Sequence, residues 1–136
     1  MNDCLFCKII SDDIPADKVY EDDNVLAFLD IGPVNLGHTL VVPKKHYKDI
    51  TEMPEEEVGV LFRAVQKIAK GVMKGADVSA FNIGVNTGGV AGQLIFHTHV
   101  HIMPRVEGDG HKHWTKKEVS KEEMTAVKER IRKALS

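Results

Sequence analysis

Three imidazoles, His97, His99 and His101, alternate with Thr98, Val100 and Ile102 in one segment of a 136-residue chain. In an extended strand successive side chains face opposite ways, so the three rings share one side at a spacing of roughly 7 Å. Neighbouring imidazoles repel when protonated, which makes them a set of neutral rings with a task. Two chemistries fit: a metal cage in which all three ligate an ion, or a nucleophilic ring whose neighbours hold it in one tautomer. Upstream, the connection Asn86 to Gln93 contains Gly88, Gly89 and Gly92. Glycines let backbone N–H groups approach phosphate oxygens closely, and Asn86 and Gln93 add side-chain donors, so phosphate chemistry gains weight over a plain turn-forming loop. Cys4 and Cys7 are the only cysteines. They are too few and too close for a disulfide framework and read as a redox pair or half of a metal site.

The triad segment, Phe96 to Met103, has the composition of a strand, and so do Val19–Glu21, Val25–Leu29, His38–Val42 and Ala80–Val85. Asp22, Asp23 and Asn24 suit a tight reversal between the first two. Between the third and fourth, Val58, Leu61, Phe62, Val65, Ile68, Ala69 and Val72 recur at helical spacing. Acids in the first turn and Lys70, Lys74 and Gly75 at the end bound a helix over Pro54–Lys74. Ser120 and Glu123 form a capping box ahead of Met124, Val127, Ile131 and Leu135, a one-sided terminal helix. Hairpin-like strands with one helix between and one after predict an α+β domain on an antiparallel sheet.

The composition fits one such domain: 43% of residues are hydrophobic and 28% charged. Eighteen basic against twenty acidic residues give −2, without the excess that phosphate neutralisation of a nucleic acid polymer requires. No apolar run reaches the roughly 18 residues of a membrane span, and the N-terminal segment lacks a basic leader. A cytoplasmic protein with no membrane or nucleic-acid partner is the expectation.

The sequence from His97 to Met103 resembles the signature of the histidine triad (HIT) superfamily of nucleotide hydrolases and transferases, His-φ-His-φ-His-φ-φ, with Thr98 as the one weakly apolar φ. Leu5–Ile10, Ala27–Ile31, Gly37–Thr39 and Val42–His46 are similar to further family blocks in the same order. The resemblance covers residues 4 to 105. It implies a HIT fold: a five-stranded antiparallel sheet with the long helix, an extra C-terminal helix, and a two-fold homodimer closed through that helix and an edge strand. The expected organisation is a single HIT domain over 1–136, with a core at 4–105 and an extension at 106–136.

The resemblance further implies a purine nucleotide bound with its α-phosphate over the triad. His99 is the implied nucleophile, forming a nucleotidyl-histidine that water hydrolyses. His101 is an implied phosphate contact and His38 a supporting imidazole, with His97 completing the catalytic group. Asn86, Gln93 and the Gly92 backbone match phosphate contacts. Asp30 matches the carboxylate that accepts from both ribose hydroxyls. Leu5, Phe6, Ile9, Phe28 and Ile31 match the apolar slot around the base. Cys4, Cys7, His46 and His97 match a structural zinc set, and no catalytic cofactor is implied.

Leu94 stands where the phosphoramidase branch usually carries a hydroxyl residue, and the Pro104-Arg105 step is similar to the branch that cleaves dinucleoside polyphosphates such as diadenosine tetraphosphate (Ap4A). The expected activity is hydrolysis of a purine nucleoside phosphoramidate or a dinucleoside polyphosphate with release of AMP. A three-histidine metallohydrolase and a non-catalytic nucleotide- or partner-binding module are the alternatives. His111, His113 and Trp114 either form a solvated loop or border the leaving-group side of the pocket.

Overall fold

The structure, a computed structural model, describes residues 3–136; residues 1 and 2, where the expected domain begins, lie outside it. Five strands form one fully antiparallel sheet. They are β1 (Lys18–Glu21), β2 (Val25–Leu29), β3 (Thr39–Pro43), β4 (Ala80–Gly84) and β5 (Val100–Arg105), in the order β1-β2-β3-β5-β4. The helices are α1 (Leu5–Ile10), α2 (Glu55–Ala76) and α3 (Lys121–Leu135). The Asp22 carboxylate closes the first hairpin by accepting from the N–H groups of Asn24 and Val25 at 2.8 and 2.9 Å.

The sheet is covered on both faces. Val25, Ala27, Val41, Val100 and Ile102 meet Leu61, Val65, Ile68 and Ala69 of α2. Leu26, Phe28, Leu40 and Val42 meet Phe6 and Ile9 of α1. Each such aliphatic side chain contributes about 1.5–3 kcal/mol on burial, so the α2 face dominates cohesion while α1 seals the side on which the imidazoles lie. At the end of α2, Gly75 remains helical, and Asp77 adopts the left-handed conformation at φ 55°. The N–H of Val78 then bonds Met73 O at 3.0 Å. The helix therefore runs past Lys74 to Ala76, because the reversal is made by an aspartate and not by the glycine. Gly37, at φ +94°, lets the chain enter β3 against this helix end; a Cβ there would lie 3.0 Å from that of Ala76.

Two local features differ from the sequence pattern. Ladder pairing of the triad segment begins only at Val100, and residues 95–97 bend. Ahead of β5, Thr98 bonds Tyr47 O through its N–H at 2.8 Å and its hydroxyl at 3.1 Å. The second is α1, an element the pattern did not assign. Cys4 caps it, its sulfur accepting from the Cys7 N–H at 3.3 Å. Among the described residues no helix is long and apolar enough to cross a membrane.

Candidate active site

Each imidazole has one nitrogen whose partner dictates its proton, because a carbonyl can only accept and an amide N–H can only donate. The Nδ1 of His99 lies 2.7 Å from its own chain's carbonyl at His97. The proton is therefore on Nδ1, and Nε2 presents a lone pair. His97 reverses the pattern, donating from Nε2 to Pro43 O at 2.8 Å, so its lone pair is on Nδ1. His38 accepts the Val34 N–H on Nδ1 at 3.1 Å. Its protonated Nε2 lies 2.9 Å from Nδ1 of His101, nearer than the 3.6 Å to Asp30. That leaves His101 with its proton on Nε2. The result is an acceptor nitrogen on His99 beside a donor nitrogen on His101, with ring centroids 5.0 Å apart.

Burial keeps these rings neutral. It pulls His38 and His99 below the ordinary imidazole value and takes His101 down to about 4, with His99 and His38 adding to the depression and Asp30 opposing it. Phe6 packs edge-on against His99 at 4.9 Å and against Phe28 at 5.5 Å, closing the α1 side of the site. On the other side, beyond His38 and His101, lies a cavity of about 520 Å³ bounded by Asn86, Met103, His113 and Trp114. Pairing of His101 with Leu40 on one side and Gly84 on the other sets this ring in the middle of the sheet, between the two compartments.

The donor set Cys4, Cys7, His46 and His97 gathers at the start of the triad segment, its four ligand atoms all within 4.8 Å of one another. Cys4 and Cys7 sulfurs lie 3.4 and 3.5 Å from His97 Nδ1, and Cys7 lies 3.3 Å from His46 Nδ1. A tetrahedral zinc ion with ordinary bond lengths has ligand–ligand edges of about 3.3–3.8 Å, so the four fit it. Burial and the adjacent Cys4 push the Cys7 thiol up to about 11, a cost that a bound cation removes. The Nε2 bond to Pro43 gives His97 the outer partner that ligating imidazoles require. Asp30, His38 and His101 also lie within ligand distance of one another. There the facing His38 nitrogen carries a proton, so His38 and His101 form a hydrogen-bonded pair with Asp30 beside it at 3.6 Å, and not a cation cage.

The HIT domain family matches residues 11–108. The chain belongs to the HIT family. Among curated HIT proteins it is 55% identical over 107 residues to an uncharacterized HIT-like protein of Methanocaldococcus jannaschii, covering 79% of this chain and 82% of that protein. It is 46% identical over 108 residues to adenylylsulfatase HINT3 of Arabidopsis thaliana, covering 79% of this chain but 55% of that longer protein. A protein of known structure from Streptococcus mutans superimposes with a TM-score of 0.94 at 42% identity, over 100% of this chain and 87% of that one. A zinc-bound histidine triad family protein from Mycobacterium smegmatis gives 0.77 at 37% identity, over 98% of both chains.

The HIT fold brings most of the expected site residues together, and it qualifies three. Gln93 is buried, and its amide is committed to backbone: Nε2 donates to Lys48 O at 2.7 Å and Ile95 O at 3.2 Å, while Oε1 accepts from Gly88 N at 2.9 Å. It therefore shapes the glycine-rich loop, and a phosphate contact would require it to give up one of these bonds. Ile31 is 98% exposed and Leu5 39%, whereas Phe6, Ile9 and Phe28 are core residues. Gly92 sits at φ +97°, where a Cβ would press on the Asn86 amide at 3.4 Å. Trp114, expected in a solvated loop or at the border of the pocket, is exposed and lines the cavity. No motif marked Asn35, Asn82 or Asp109, which carry a hydrogen-bond network beside the site.

Proposed function

We propose that this HIT protein hydrolyses purine nucleoside phosphoramidates or dinucleoside polyphosphates at the α-phosphate, through a covalent nucleotidyl-histidine on His99, releasing AMP. The observation that carries this reading is the 2.7 Å bond from His99 Nδ1 to the His97 carbonyl, which aims an unprotonated Nε2 outward. Attack of Nε2 on phosphorus forms a P–N bond to His99 and breaks the bond to the leaving group on the far side, a nucleoside polyphosphate or an amine that takes up a proton from solvent as it departs. The ring becomes cationic in that step, and the Nδ1–H bond to the carbonyl strengthens as charge develops, an interaction worth more in the transition state than in the ground state. The His101 Nε2–H donates to a phosphoryl oxygen, and His38 holds His101 in that form. Water then attacks phosphorus and restores His99.

Asp30, fixed by the Gly32 N–H at 2.8 Å, accepts from the ribose hydroxyls. Leu5 and Ile31 supply apolar surface to the base over the core formed by Phe6, Ile9 and Phe28. Asn86 and the Gly92 backbone contact phosphate. Cys4, Cys7, His46 and His97 hold a structural zinc ion that ties α1 to the triad segment. A bound ion would supply cohesion, and His97, with Nδ1 toward the cysteines and Nε2 on Pro43 O, presents neither nitrogen to substrate. A three-histidine catalytic cage is disfavoured for the same reason, since His97 Nδ1 faces the cysteines while the Nδ1 of His99 is bonded to a carbonyl.

The chain reads as a single domain over 1–136 that acts in the cytoplasm as a two-fold dimer through α2 and the β4 edge. A concavity of about 320 Å³ lined by Phe62, Val65, Ala69, Met73, Phe81 and Ile83 supports that surface.

The decisive experiment measures turnover of an adenosine phosphoramidate and of diadenosine tetraphosphate by wild type and His99→Ala, with and without chelator. Chelator-resistant turnover that vanishes in His99→Ala is expected, together with an adenylyl adduct on wild type that survives an alkaline quench and is lost in acid. Chelator-sensitive turnover would instead favour metal catalysis. AMP binding without turnover would leave a nucleotide-binding module.

A further inference from the structure

Just beyond β5, Asp109 is the centre of a closed loop. Its carboxylate, whose side chain is 4% exposed, accepts from five donors. These are Arg105 Nε at 2.7 Å and Nη2 at 3.1 Å, Asn35 Nδ2 at 3.0 Å, and the N–H groups of Val106 at 3.2 Å and His111 at 3.0 Å. The Arg105 guanidinium above all, then the His111 N–H, holds the carboxyl far below the usual carboxylate range. Arg105 also reaches Asn82 Oδ1 at 2.8 Å and His111 O at 3.2 Å. Arg105, Asn82 and His111 line the cavity beyond His38 and His101, and none of them is hydrogen-bonded to a triad ring.

The loop does, however, grip the segment between β2 and β3. His111 Nε2 lies 2.8 Å from Val34 O, and Asn35 Nδ2 bridges Pro104 O at 2.9 Å and Asp109. Asn35 O in turn accepts the His38 N–H at 3.2 Å. Ile31 to Val34 is otherwise an exposed excursion through Gly32 and Pro33. The backbone held in this way supplies the Val34 N–H to His38 Nδ1, the contact that keeps the His38 proton on Nε2 and hence the His101 proton on its own Nε2.

We propose that Asp109 and His111 are positioning residues that fix the tautomer of His38, and through it the donor nitrogen of His101. Without the anchor the Val34 N–H moves away, and His38 is free to carry its proton on Nδ1. Its Nε2 then accepts from His101 Nδ1, and His101 turns a lone pair where a donor was needed. Two linked rings thus switch together, with no hydrogen bond from the loop to either ring. The rate consequence rests on the nucleotidyl-histidine reading, whereas the tautomer consequence does not.

The test is nitrogen-15 NMR of histidine-labelled wild type, Asp109→Asn, His111→Ala and His111→Gln, with steady-state kinetics on an adenosine phosphoramidate. In wild type His38 Nδ1 should resonate as an unprotonated nitrogen. Asp109→Asn and His111→Ala should show a protonated Nδ1 population and a kcat lowered about tenfold with KM within about twofold, the split expected for a lost transition-state interaction. His111→Gln retains a donor toward Val34 O and should restore both. Wild-type His38 spectra in Asp109→Asn and His111→Ala would overturn the proposal, as would a His111→Gln variant no better than His111→Ala. If Asp109→Asn does not fold, the exposed His111 pair decides. If wild type shows no turnover, the spectra alone decide this proposal, while the nucleotidyl-histidine reading fails separately.

Discussion

At the scale of single residues, the chemistry depends on which nitrogen of each ring carries a proton. His101 falls from the ordinary 6.5 to about 4 and His99 is lowered too, burial being the first cause in both. Protonation of either ring destroys the arrangement; His99 stays neutral to below its ordinary value and His101 down toward about 4. The acid limb of kcat/KM should therefore lie below pH 6.5; a profile from pH 8 to 4.5 that already inflects at or above 6.5 would contradict it. Stability follows the same sign. Because the folded value of His101 lies below the unfolded one, its contribution is complete above about pH 6.5 and declines toward pH 4, where the unfolded chain takes up a proton that the folded chain refuses. Urea midpoints recorded across that window should fall with pH, and less so in His101→Asn. Asp30 offers a separate check. Asp30→Ala should weaken AMP binding about tenfold, roughly 1.4 kcal/mol, while weakening 2′,3′-dideoxy-AMP much less. Equal losses for the two ligands, measured by calorimetry, would remove the ribose contact.

At the scale of elements, α1 is a six-residue helix that could not persist alone. Phe6 and Ile9 bury it against β2 and β3, and Cys4 and Cys7 at its first turn meet His97 and His46, the set proposed to hold zinc. Cys4→Ala with Cys7→Ala should abolish zinc binding, from one ion per chain to none by atomic absorption. The melting temperature should drop by about 5 °C or more, with residual turnover in the fraction that stays folded. An unchanged melting temperature would mean that the ion, if bound, does not hold α1. The α2 side is independent of metal: Leu61→Ala should cost about 2–5 kcal/mol in chemical denaturation. The strands, α2 and α3 were legible in the sequence because alternation, helical spacing and a capping box are local signals. What stayed hidden was set by distant partners. Strand pairing starts at Val100 because Thr98 is taken by Tyr47. The spacing Phe6, Ile9, Ile10 after Cys4 could have suggested α1, but six residues carry little periodicity. The grouping of His46 and His97 with the cysteines was expected only from resemblance, since nothing in their spacing from Cys4 and Cys7 specifies a shared site. Asp109 had no motif: four of its five donors lie in residues 105–111 and the fifth, Asn35, comes from the distant segment between β2 and β3.

At the scale of the whole molecule, the described residues include two partly exposed apolar surfaces with different consequences. Met124, Val127, Ile131 and Leu135 of α3 are all exposed, and no residue of that helix is buried. On α2 and β4, Phe62, Val65, Ala69, Met73, Phe81 and Ile83 line one concavity, and β4 is an edge strand with unpaired backbone groups. An uncovered sheet edge beside an apolar helix face invites pairing, and an antiparallel edge related to itself by a two-fold axis satisfies both at once. Light scattering should give twice the chain mass. Ile83→Asp, which sets a carboxylate on that edge, should yield monomer, whereas deletion of residues 119–136 should leave the mass ratio at two. The active site lies on the opposite face of the sheet from α2, so Ile83→Asp monomers that remain folded should keep a measurable fraction of kcat. Dimer persistence in Ile83→Asp combined with monomer formation on deletion of α3 would reverse the assignment, making the terminal helix the element that holds two copies together.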